Sequence, residues 1–289
     1  MGSGVEGVTT RHISPVVLRQ EVGRRIRLAR QAVGLTIVVA ADRLEITRSA
    51  LGRFENGIGT VSVHLLRSMM DVYDQRMDDV LDLIRQARRP GWWKRYGISD
   101  KDFVALETAA SRISVYEVNL IPGLLQTAEY TRALFDSGRE KRRADWIANQ
   151  LEVRLIRQER LTDEEHPLYL DAVVHETALR TPAARPAVML GQLRHLTLIN
   201  ELPTVSLQIL PTSIFTFEAT YGGFNILDFS LPGQPSMCHA LHALGDERQD
   251  KSEFVEPARL RFAHLRSLAL APDESVTLIE RVADELWSR

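Results

Sequence analysis

Thr47-Arg48-Ser49-Ala50-Leu51-Gly52-Arg53-Phe54-Glu55-Asn56-Gly57 reads as a short capped helix with one apolar face and two guanidinium groups elsewhere. Thr47 can accept a hydrogen bond from a free N–H of the first turn, and Gly57 can end the helix in a left-handed conformation at little steric cost. At about 100° per residue, Ala50, Leu51 and Phe54 share a face, while Arg48, Ser49 and Arg53 fall largely away from it. Guanidinium is the side-chain group that best matches the paired acceptors on guanine's major-groove edge.

The preceding segments supply a partner for this helix. Leu18 to Val33 carries Leu18, Val22, Ile26, Ala29 and Val33 at helical spacing. Gly34-Leu35 breaks the pattern, Thr36 can cap a second helix from Ile37 to Leu44, and Glu45-Ile46 leaves only a tight turn before Thr47. Two short helices so joined, the second exposing Arg and Ser, form a helix-turn-helix arrangement. A fourth helix carries Leu65, Leu66, Met69, Val72 and Tyr73, and Val80 to Ala87 supplies a fifth. Ile37 and Val38 are apolar side chains that either pack on the first helix or meet another segment. Glu55 is expected to hold a basic neighbour or a backbone amide.

Residues 18–85 resemble the phage-repressor type of helix-turn-helix domain, the xenobiotic-response-element family, and the ending Phe-Glu-Asn-Gly is specific to that likeness. The resemblance implies that Arg48, Ser49 and Arg53 read bases. It also implies phosphate contacts near Thr36 and Thr47. The chain departs from the family at Ile37, where a polar residue is frequent, and at Glu45, where Gly is usual; Glu45 is therefore expected in a left-handed conformation.

The charge distribution fits a nucleic-acid partner better than the formal net charge of −2 does. Residues 1–60 hold nine Arg, no Lys and five acidic residues, a net of +4; residues 61–90 balance at five and five, leaving −6 for the remainder. Arg24, Arg25, Arg27, Arg30 and Arg43 are candidates for phosphate contacts.

The 289 residues, 44% hydrophobic, suffice for two folded domains. No apolar run is long enough to span a membrane, and the single cysteine forms no internal disulfide; a cytoplasmic location is expected. Residues 1–17 read as a disordered arm, 18–87 as the DNA-binding domain, 88–91 (Arg88-Arg89-Pro90-Gly91) as a linker and 92–289 as a second domain. The expected fold class is an N-terminal all-α, five-helix helix-turn-helix domain followed by a larger α+β domain with a mainly antiparallel sheet.

In the second domain the expected helices are Phe103 to Arg112, a segment ending at Gly138, Arg142 to Leu161, Pro186 to Leu202, Glu253 to Leu268 and Pro272 to Trp287. The expected strands are Ile113 to Val118, Leu168 to Val174, Val205 to Leu210, Phe224 to Phe229 and Met237 to Leu241. Leu120-Ile121-Pro122-Gly123-Leu124-Leu125-Gln126-Thr127 with Tyr130, and Ser267 to Ser275, resemble the second domain of WhiJ-like, antitoxin-like transcriptional regulators of sporulating actinobacteria. That resemblance implies a small partner protein encoded nearby and brings no site residues with it.

Asp163-Glu164-Glu165-His166, His175-Glu176 and Cys238-His239 with His242 lack the context that catalysis or zinc binding needs. Adjacent strand residues such as Cys238 and His239 diverge, and no second ligand pair lies at a suitable spacing. No phosphate loop, nucleophile elbow or His-Glu-x-x-His occurs. No enzyme activity, cofactor or metal is expected. The chain is expected to bind double-stranded DNA as a homodimer and to receive its signal through the second domain, from a small protein or alternatively from a small-molecule effector.

Overall fold

A capping hydroxyl precedes each of three successive helices near the N-terminus, and those helices set the architecture of the first unit of this computed structural model. The structure describes residues 14–99, 103–139, 142–230 and 234–288; most of the expected N-terminal arm lies outside them. The helices are α1 (Pro15–Ala32), α2 (Ile37–Arg43), α3 (Arg48–Glu55), α4 (Val63–Tyr73), α5 (Asp78–Ala87) and α6 (Phe103–Glu107). Thr36, Thr47 and Ser62 each accept a backbone N–H three residues ahead, from Val39, Ala50 and Leu65. Helix α1 begins earlier than its apolar spacing suggests, because Pro15 at the first turn has the φ a helix needs and no N–H to leave unpaired.

Val22, Ile26, Leu51, Leu66, Met69, Tyr73, Val80 and Ile84 form the core of this unit, drawn from α1 and α3 to α5. Residues 92–99 and 103–109, expected in the second domain, group instead with the helical unit, which extends to Ala109. Trp93 is fully buried within the short 3-10 helix Trp92–Tyr96, and the Ser14 hydroxyl donates to the Ala105 carbonyl of α6. Pro90-Gly91 thus interrupts the helix without ending the unit.

The second unit, from Ala110 onward, is built on a six-stranded mixed sheet of order β3-β2-β1-β4-β5-β6. The strands are β1 (Ala110–Glu117), β2 (Tyr169–His175), β3 (Val205–Leu210), β4 (Phe224–Phe229), β5 (Met237–His242) and β6 (Gly245–Gln249). Three of the five pairings, β1·β4, β4·β5 and β5·β6, are antiparallel; β1·β2 and β2·β3 are parallel. The parallel half needs crossovers, supplied by α7 (Ala128–Ser137) and α8 (Ala144–Gln158), then by α9 (Thr177–Arg180) and α10 (Pro186–Ile199). Helices α11 (Ser252–Leu268) and α12 (Pro272–Val282) follow the sheet, with a π-helical turn over Ala283–Trp287. Ala258, Phe262 and Leu265 of α11 pack on Tyr116, Val173, Phe224 and Ile226.

Two departures from expectation bear on the sheet. Ala110 to Arg112, read as the end of a helix, pair with β2 or β4 in the sheet. The charged run Gly245–Gln249, read as no element, is the edge strand β6 paired to β5 from Cys238↔Gln249 to His242↔Gly245. Charge on an exposed edge blunts further strand addition, so the polarity that hides this strand from pattern reading suits its position.

The two motif runs are tied into the fold. Gln126 donates to the Ile121 carbonyl at 2.6 Å and accepts from the Thr131 hydroxyl, while Gln192 of α10 bridges the Leu125 carbonyl and the Thr127 N–H at 2.7 Å each. The Ser275 hydroxyl accepts the Ile209 N–H of β3 at 2.9 Å.

Candidate nucleic-acid interface

Helix α3 begins where Thr47 Oγ1 accepts the Ala50 N–H at 3.1 Å and ends at Gly57, whose φ is +69°. Leu51 is fully buried, and Phe54 packs against the same core. Arg48, Ser49 and Arg53 are exposed. Among the described residues, none of these three side chains forms a hydrogen bond or an ion pair. The face carrying them is free to meet a ligand.

Close backbone contact and ionic contacts hold α3 in place. Gly23 of α1 lies so near the end of α3 that an added Cβ would stand 2.3 Å from the Phe54 carbonyl oxygen; a Cβ at Gly57 would stand 2.7 Å from Gln20 Cα. Arg30 donates to both carboxylate oxygens of Glu55, at 2.6 and 2.9 Å, and to the Leu35 carbonyl at 2.7 Å. One buried guanidinium therefore ties together α1, the end of α3 and the loop entering α2. Arg27 adds bonds to the Glu55 carbonyl, at 2.9 Å, and to the Asn56 side chain.

These contacts turn Arg30 of the expected phosphate-binding set inward and give Arg24, Arg25 and Arg27, which stay partly exposed, partners within the fold. Arg30 is 8% exposed and turned to the interior, so it braces α3 and is not placed to meet phosphate. Arg27 caps the end of α3. Arg24 and Arg25 converge on buried Glu21, with three bonds of 2.7 Å, and Arg25 also reaches Asp79 at 3.1 Å. Burial alone would raise the Glu21 pKa, but the hydrogen bonds from Arg24 and Arg25 outweigh it and hold the carboxyl below its ordinary value. Arg43 is exposed and, among the described residues, has no side-chain partner. Thr36 and Thr47 spend an oxygen lone pair on capping and keep a hydroxyl hydrogen to donate.

The turn between α2 and α3 has the conformation expected of it: Glu45 has φ +54° in the left-handed region. Ile37 packs into the helical core and lies along Gly52, whereas Val38 and Val39 are 55% and 42% exposed beside the first turn of α2. Glu55 holds a basic neighbour, as expected; its partner Arg30 is 25 positions away, beyond the reach of local spacing.

In the second unit the clusters of acidic, histidine and cysteine side chains are tied into local structure. Asp163 accepts the backbone N–H groups of Glu165 and His166 at 2.9 Å each. Glu176 accepts from Arg180 and from Thr212. His175 Nδ1 lies 2.7 Å from the Thr177 hydroxyl. Cys238 packs with the cluster under α11, while His239 Nδ1 faces Asn225 at 3.4 Å. Among the described residues, no group of three His, Cys, Asp or Glu side chains could hold a metal ion, and no helix is long and apolar enough to cross a membrane.

Comparison with known families finds two matches along the chain, the second beginning ten residues before the sheet unit does. A helix-turn-helix domain matches residues 21–83, which makes the first unit a DNA-binding regulator module. A domain of unknown function, DUF5753, matches residues 100–281, more than half of the chain, and the chain belongs to that family. No curated protein matches it.

Proposed function

We propose that this chain is a sequence-specific transcription regulator in which Arg48, Ser49 and Arg53 read bases in the major groove. The carrying observation is the contrast on one surface: these side chains are exposed and unpartnered, on a helix fixed from behind by the Arg30–Glu55 pair. Arg43 and the Thr36 and Thr47 hydroxyls contact phosphate and set the register. The protein binds as a homodimer, because one such helix spans only a few base pairs, with paired helices entering successive grooves about 34 Å apart.

Resemblance to WhiJ-like, antitoxin-like regulators supports a second unit that binds a small partner protein and passes its signal to the DNA-binding module. The reading assigns it no catalysis and places the protein in the cytoplasm. An effector-binding second unit is the alternative, favoured by a recess beneath α11 described below.

Fluorescence anisotropy on the chain's own upstream DNA and on scrambled DNA, at two salt concentrations, tests the DNA reading. Arg53→Ala is expected to lose about 1–3 kcal/mol on the cognate site and little on the scrambled one. Equal losses on both would remove Arg53 from base reading. A second unit that gains thermal stability only with a co-expressed small protein supports the partner; stabilisation by a protein-free metabolite extract supports the effector.

A further inference from the structure

Where α11 crosses the outer part of the sheet, Cys238 and Ala240 of β5 lie under Ala258 of the helix. These small side chains leave a recess of about 260 Å³ unfilled. Phe224 and Phe254 line it with aromatic carbon, and Tyr221 stands at its side. Arg261 also lines it: its guanidinium lies 4.3 Å from the Tyr221 ring centroid, and its buried Nε has no hydrogen-bond partner. Glu247, which lines the recess from the edge strand, is exposed and bonded to Gln249 at 3.2 Å.

We propose that this recess binds a small aromatic carboxylate carrying a hydrogen-bond donor on its ring. The ring occupies the space over Ala240 and Cys238 between the aromatic side chains. The carboxylate meets the Arg261 guanidinium, whose Nε has no hydrogen-bond partner and whose charge otherwise faces the Tyr221 ring and partly exposed Glu218, through a charge-assisted bond that water displacement strengthens. The ring hydroxyl or amine donates to Glu247. The volume is below that of a drug-sized pocket, which limits the ligand to one or two rings. The inference deepens the effector reading of the second unit and is independent of how α3 reads DNA.

Titration calorimetry of the full chain with 4-hydroxybenzoate tests it, with 4-hydroxybenzyl alcohol and cyclohexanecarboxylate as probes lacking the charge or the aromatic ring. Saturable binding of 4-hydroxybenzoate with a dissociation constant of about 1 mM or tighter is expected, and both comparison probes bind at least about tenfold more weakly. Arg261→Met, which keeps the stem over Tyr221, loses about tenfold or more. Ala240→Leu, which fills the recess, abolishes binding; circular dichroism checks that both variants are folded. Absence of saturable binding, or binding unchanged in Arg261→Met, overturns the proposal. DNA affinity without ligand is expected to be the same in Arg261→Met and the parent, so failure of the ligand site is distinguishable from failure of the DNA reading.

Discussion

The arginines of α1 and those of α3 are the same residue type put to opposite uses. On α1, Arg24, Arg25, Arg27 and Arg30 are drawn to Glu21, Glu55 and the end of α3. On α3, Arg48 and Arg53 have no partner among the described residues. A paired guanidinium commits part of its donors to the fold, whereas an unpaired exposed one keeps all five for a partner. Of the clustered arginines on α1, Arg30 is buried in the frame, whereas Arg24, Arg25 and Arg27 stay partly exposed beside their carboxylate partners.

The largest effect that would break this contrast is on stability. Glu55→Ala leaves the buried Arg30 guanidinium without its carboxylate and is expected to cost about 4 kcal/mol of the helical unit's stability, read by urea denaturation. A loss under about 1 kcal/mol would mean that the pair does not hold α3 in place. Arg53→Ala should do the reverse, with a midpoint within about 0.5 kcal/mol of the parent and the loss confined to cognate DNA.

Buried carboxylates repeat the lesson. Glu21 has two guanidinium partners and a lowered pKa, while Glu117, at the end of β1, is pushed up to about 7 by burial. Its folded form holds a proton that the unfolded chain releases near 4.5, so its contribution to stability falls as pH rises from about 4.5 to 7 and stays low above that. Glu117→Gln is expected to flatten that decline and to gain about 2 kcal/mol at pH 8 relative to pH 4, allowing for partial exposure of the carboxyl. Glu21 has the opposite sign, its contribution being lost as pH falls below 4.5 through its lowered folded value. An identical pH profile for Glu117→Gln and the parent would show that burial leaves the Glu117 carboxyl unshifted from its unfolded value.

The smallest expected effect is at the cap. Thr47→Ala removes the bond to the Ala50 N–H and should cost about 1 kcal/mol, lowering DNA affinity on all sequences together because it loosens the helix without removing a base reader. A selective loss on the cognate site would instead make Thr47 a specificity residue.

Local chemistry settled much of this protein from the sequence. Capping hydroxyls, apolar spacing and Gly57 place α2 to α5 and the recognition helix, since each signal acts within a turn or two of the residue that carries it. The Glu45 conformation was legible for the same reason, and so were the strands Val205–Leu210 and Phe224–Phe229, whose β-branched and aromatic content matches a half-buried ladder. Tertiary structure decided what depends on distant partners. It turned Arg30 inward to Glu55, drew residues 92–99 and 103–109 into the helical unit, made a strand of charged Gly245–Gln249 beside β5, and left a recess where Cys238, Ala240 and Ala258 meet. A helix cap or period is written in neighbouring residues. Which charge is neutralised, which edge is paired and which volume stays empty are fixed only when the folded chain brings remote side chains together.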